Sequence, residues 1–127
     1  MLKIKIAAIG KLNGRALTEL SGEYVKRLSR YCTLEIIELR DESISARASW
    51  AEIQKHLSIE AGLVIERLRQ DAYVIALDMG GKAPDSVEFS KLLNLQTGTC
   101  SEIVFVIGGS HGLHQRVLAR ADYVLSI

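Results

Sequence analysis

Apolar and polar residues alternate from Leu2 to Ile9 (LKIKIAAI) and stop at Gly10, the pattern of a strand running into a turn. The spacing then changes. Leu17, Leu20, Tyr24, Leu28 and Tyr31 recur every three or four residues, which predicts a helix with one apolar stripe and with Lys26, Arg27 and Arg30 off it. Thr33 to Leu39 reads as a second strand, and the polar, aperiodic stretch Arg40 to Ser49 as a loop. Ser49 and Glu52 have the S-x-x-E spacing of a reciprocal helix cap, ahead of a stripe through Ile53, Leu57, Val64 and Leu68. Tyr73 to Asp78 (YVIALD) is apolar throughout, as in a central strand covered on both faces, with Gly80, Gly81 and Pro84 ending it. Asp85 or Ser86 opens a helix with Phe89, Leu92 and Leu93 inward. Ile103 to Ile107 is a second buried strand, His111 to Arg120 a last helix, and Tyr123 to Ile127 the start of a fifth strand.

Strands alternating with helices predict an α/β fold with a mostly parallel sheet and flanking helices, because parallel neighbours need crossover connections. Ligands of such sheets sit at the carboxyl ends of strands, here Leu77 to Gly81 and Ile107 to Gly112. Length makes this one domain, residues 1–127: no repeat, low-complexity linker or shift of composition divides the chain. The apolar run YVLSI is followed by no turn residue or polar tail, so the domain reads as C-terminally incomplete.

Charge narrows the partners. Sixteen Lys and Arg against 15 Asp and Glu exclude a uniformly basic nucleic-acid coat, so RNA contact, if present, is local. Candidate basic pairs are Lys11 with Arg15, Arg27 with Arg30, Arg40 with Arg47 and Arg116 with Arg120, each also compatible with a solvated surface. Cys32 and Cys100 are far apart and outside any C-x-x-C pair, as in a reducing, cytoplasmic setting, and the start lacks the features of a signal peptide or membrane span.

Gly108-Gly109-Ser110-His111-Gly112 between a strand and a helix permits close backbone approach to a bound group, or simply a tight turn. Gly80-Gly81 offers a second open loop at the same edge. The same five residues match the G-x-S-x-G nucleophile elbow at Ser110, but no histidine follows Asp122 to complete the serine hydrolase order. His111 and His114 share a helical face without an evident third ligand, so no metal is expected. Asp78 either orients a ligand or caps a turn.

The segments VIALDMGGKAPDSVEFSKLL, IVFVIGGSHGL and ADYVLSI, in that order and spacing, resemble the RlmH family of small SPOUT-class methyltransferases. The opening strand and the elements after it resemble the family too, so the likeness spans the chain. It implies an α/β-knot fold, a homodimer, and an enzyme that uses S-adenosylmethionine to methylate N3 of a pseudouridine in 23S rRNA of the large ribosomal subunit. Carried onto this sequence, it places cofactor contacts at Leu77, Gly108, Gly109 and Ile127. The family's knot-forming segment, with its Pro-His step, long helix and terminal Tyr-His-Lys-like tail, has no counterpart here. A chain ending at Ile127 is therefore expected to lack transfer, and no catalytic residue is assigned. A non-catalytic nucleotide- or RNA-binding module is the alternative reading.

Overall fold

The computed structural model describes residues 2–10, 14–41 and 44–126. Strands β1 (Leu2–Ile9), β2 (Cys32–Leu39), β3 (Tyr73–Lys82), β4 (Ile103–Ile107) and β5 (Tyr123–Leu125) alternate with helices α1 (Arg15–Leu28), α2 (Trp50–Ile65), α3 (Ser86–Gln96) and α4 (Gln115–Arg120). The strands pair in the order β2-β1-β4-β3-β5, every ladder parallel. This is the expected α/β architecture.

Alternation along the strands divides the core. Ala7, Ile9, Leu39, Val74, Val104 and Val106 face α2 and α4, where Ala61, Val64 and Val117 close a fully buried layer. Ile75, Ile103 and Leu125 face the other way, against Phe89 and Leu93 of α3. Where α1 leads into β2, the Cys32 thiol donates to the Leu28 carbonyl at 3.6 Å. The apolar stripe of α1 departs from expectation. None of its residues is buried, and Leu20 and Tyr24 are 50% and 55% exposed. The helix touches the sheet at β2 but leaves its own apolar residues, and Ile36 of β2, open to solvent.

Side-chain chemistry fixes the helix starts. The Ser49 hydroxyl accepts from the Glu52 amide at 3.2 Å, as the spacing predicts. The reciprocal half differs: the Glu52 carboxylate takes the Ser49 hydroxyl instead of a backbone N–H. Asp85, not Ser86, caps α3 through the Glu88 amide. Helix α4 begins four residues later than expected, because His114 turns back to accept the Arg116 amide at Nδ1 (3.0 Å) and becomes its cap.

Arg120 ties the end of α4 to the turn before β3. Its guanidinium donates to the carbonyls of Arg69, Gln70 and Ala72 at 3.1–3.4 Å and reaches Asp122 at 3.3 Å, while Asp122 accepts the Val74 amide at 2.8 Å. Charge-assisted bonds of this kind are individually strong. Arg120→Ala should lower stability by about 2 kcal/mol. Urea unfolding should show a lower midpoint with an unchanged slope.

Candidate functional site

The connection leaving β1 runs to β2 on one side and that leaving β4 runs past β3 to β5 on the other. Such a switch point opens a crevice at the strand ends. A cavity of about 620 Å³ occupies it, lined by Ile9, Gly10, Glu38, Leu39, Arg40, Asp41, Gly109 and Ser110. On the other side of β4, the β3–β4 ladder stops at Ala76 opposite Val106, although the β1–β4 ladder continues to Ile107. Leu77 is thus the first residue of β3 past its pairing with β4, where the strand continues beside β5, and Gly108 follows the end of β4. Ile127 lies outside the described residues; Ser126 before it donates its amide to the Lys82 carbonyl at 2.8 Å.

The glycines of the 108–112 loop have different tasks. A Cβ on Gly108 would lie 2.6 Å from the Gly112 carbonyl oxygen, so its bareness lets the loop fold onto itself. Gly112 takes φ +78° and donates its amide to the Gly109 carbonyl at 3.2 Å. Gly109 faces the cavity, where a Cβ would make ordinary contact with Ile9 and Asp41. The second open loop expected at Gly80-Gly81 is not formed. Both glycines belong to β3, and Gly81 admits the β5 backbone, since a Cβ there would lie 2.6 Å from the Val124 carbonyl oxygen. Asp78 caps the local turn by accepting the Gly80 amide at 3.0 Å.

Ser110 does not sit in a nucleophile elbow. Among the described residues only glycines have positive φ, and no helix begins until Gln115. Its hydroxyl lies 3.2 Å from Nδ1 of the adjacent His111, and Asp122 is engaged in the Arg120 clamp. His111 and His114 do not share a helical face, because both precede α4.

Several candidate cations are committed to internal contacts. Arg116 donates to the Ser58 carbonyl and hydroxyl, Arg27 pairs with Glu23 at 2.6 Å, and Arg15 pairs with Glu19. Lys11 lies outside the described residues. A shallow cavity of about 660 Å³ at the end of α1 gathers Lys26 and Arg30, with the Arg27–Glu23 pair, beside Tyr31, which is three-quarters exposed. This is the described surface best suited to a phosphate and a stacked base.

Beside the switch-point cavity, His56 and Glu60, one turn apart on α2, meet Asp41 from the β2 end. Burial, the largest cause, raises the Glu60 carboxyl above its ordinary value; His56 opposes the rise and Asp41 adds to it. A carboxyl raised on folding holds its proton more tightly in the native state. Its contribution is therefore full below about pH 4.5 and lost as pH climbs through the folded value. Compared with the parent under chelating conditions, Glu60→Gln should show a flatter fall of stability above pH 4.5. Chemical unfolding across that range measures it. No spacing rule links residue 41 to residue 56; the available signal is a glutamate on the same helix face as Leu57 and Val64.

Comparison with known proteins adds a family. Residues 2–127 match the family described as "Predicted SPOUT methyltransferase". Proteins named "Ribosomal RNA large subunit methyltransferase H" from Clostridium botulinum strains Hall and Kyoto are 44% and 43% identical over 126 residues, covering 98% of this chain and 79% of theirs. "Ribosomal RNA large subunit methyltransferase H 1" of Clostridium perfringens strain SM101 is 43% identical over 125 residues, with the same shares.

Proposed function

The chain belongs to the SPOUT methyltransferase family, and from that premise we propose that it methylates large-subunit ribosomal RNA with S-adenosylmethionine as donor. The observation that carries the site is the parting of β3 and β4 after Ala76 and Val106: β3 continues from Leu77 beside β5, while β4 ends at Ile107 and gives way to the glycine loop at Gly108. Main-chain N–H and C=O groups at such a parting can read the edge of an adenine, and an apolar Leu77 can pack against its face. This fits the donor better than a phosphate-rich dinucleotide, for which the described cations at this edge are few. Gly109 and Ile127 complete the proposed contact set.

Bound there, S-adenosylmethionine supplies a methyl group on a positively charged sulfur. The protein's task is placement: holding the acceptor nitrogen in line with that methyl while it loses its proton. The relatives' names support ribosomal RNA as the acceptor; N3 of a pseudouridine in 23S rRNA is the finer proposal. Among the described residues no helix is long and apolar enough to cross a membrane, and a ribosomal substrate suits a cytoplasmic setting.

Protein extended by the family's knot-forming segment, incubated with ribosomes and methyl-labelled S-adenosylmethionine, should place label in 23S rRNA, with the base located by nuclease mapping and mass spectrometry, whereas the chain ending at Ile127 should transfer little. Ser110→Ala should leave the yield within about twofold, as expected for a surface change away from a reacting atom. Absence of both label and donor binding overturns the proposal. RNA retention without transfer selects the binding-module reading, and Ser110-dependent ester hydrolysis selects the hydrolase.

The open stripe of α1 supports a homodimer. Leu17, Leu20, Tyr24 and Leu28 form a contiguous apolar surface of the sort that marks an interface, and a two-fold axis would let the stripe meet its own copy. Leu20→Glu should give a folded monomer. Sedimentation velocity reads this directly, and a variant that stays dimeric puts the interface elsewhere.

A further inference from the structure

The cluster of Asp41, His56 and Glu60 lies outside the proposed donor site and is built unlike an ordinary surface ion pair. Glu60 is buried, its side chain only 8% exposed, and the His56 side chain is 16% exposed. Nε2 of His56 is shut off from solvent and 3.0 Å from Oε2 of Glu60, yet it has no aligned hydrogen-bond partner among the described residues. Oδ1 of Asp41 stands 3.8 Å from the same nitrogen. Each of the three residues offers one donor atom, and these atoms lie within 4.8 Å of one another. Close donors that do not point at each other are arranged as ligands of a common third atom are.

We propose that Asp41, His56 and Glu60 bind a divalent transition-metal ion of the zinc type. Donors about 2.0–2.2 Å from one ion stand roughly 3–3.5 Å apart. The His56–Glu60 separation already matches, and Asp41, 40% exposed at the end of a strand, needs only a small side-chain rotation. The gap between the groups is too tight to admit a water molecule, and Ser110 and His111 of the 108–112 loop also line it. Mixed imidazole and carboxylate donors favour zinc, cobalt or nickel over magnesium and calcium. Two negative carboxylates would offset the charge of the ion.

The ion would join three elements that otherwise meet only through side chains: the β2 end, α2 and the glycine loop. His56 and Glu60 are four residues apart on one helix face, which makes half of the site rigid before any ion arrives. The proposal stands apart from methyl transfer and is tested without it.

Chelator-treated protein should take up one zinc ion per chain in a calorimetric titration and melt at a higher temperature when loaded. Cobalt should give the strong visible absorption of a low-coordinate site. His56→Gln should weaken zinc binding by more than about 100-fold, beyond the loss typical of an outer-shell partner. His114→Gln should leave zinc binding unchanged, because that ring is occupied in capping α4. Glu60→Gln, close in shape to the native side chain, serves as the second ligand variant. No saturable binding by the parent overturns the proposal, as does equal binding by folded His56→Gln and Glu60→Gln variants. Loss that follows His114 instead of His56 assigns the metal to surface histidines and also overturns it.

Discussion

Gly108→Val should abolish binding of S-adenosylmethionine and destabilise the protein by about 3 kcal/mol, at the upper end of ordinary overpacking costs. The first added carbon meets the Gly112 carbonyl oxygen at 2.6 Å and a Leu113 methyl at 3.0 Å. Neither obstacle is the free end of a long surface side chain. The oxygen belongs to the backbone, in a turn held by the Gly112–Gly109 hydrogen bond, and Leu113 packs against the buried core. Relief requires the whole loop to lift, carrying Gly109 away from Ile9. Gly109→Ala is the matched control: its Cβ would make contacts of 3.4–3.5 Å, close to ordinary packing, and should cost less than about 1 kcal/mol. Donor titration and thermal melting on both variants separate the two. A Gly108→Val protein that melts like the parent would show that the loop is not closed as described.

Gly81→Ala should release β5 from β3. The new methyl would lie 2.6 Å from the Val124 oxygen and 2.9 Å from the Leu125 carbonyl carbon, within the backbone of a strand only three residues long. So short a strand has little ladder to absorb the shift, and its register with β3 already breaks between Leu77 and Lys82. Leu125 supports Ile75 and Ile103, so the core facing α3 loosens as well. A loss of about 2–3 kcal/mol is expected. Hydrogen exchange should localise it, with amides of β5 and the end of β3 losing protection while those of β1 and β2 keep theirs. Uniform loss of protection would contradict the local mechanism.

The order of elements was legible because hydrophobic period separates strand from helix wherever a segment is long. The continuous runs of β3 and β4 announced strands covered on both faces, and the parallel arrangement followed from the helices between them. Side-chain competition at the ends was harder to read. His114 looks like a helix residue by position, but its ring satisfies an N–H that would otherwise be free, so it becomes the boundary. Gly80-Gly81 looks like a strand terminator, whereas the need of β5 for close approach makes it part of the strand. In the site, Leu77 and Gly108 were legible as lying on and just after two buried strands, but their proposed roles come from the family likeness and not from the pattern. The meeting of Asp41 with His56 was not legible, because it depends on how α2 crosses the end of β2.

Strand order also governs how the protein is made. The strand that holds the sheet together, β4, sits between β1 and β3 but emerges from synthesis after both of them. At chain elongation rates of about 5–20 residues per second, β1 waits roughly 5–20 s for the neighbour that covers its second edge. During that interval β1 and β2 can pair, but the other edge of β1 remains an open template for another chain. Folding must therefore proceed by inserting a late strand into a prepared slot, a high-contact-order step that makes this small domain slow to fold for its length. The open edge of β1 is the aggregation-sensitive portion of the nascent chain, and the arrival of five residues, Ile103–Ile107, ends the exposure.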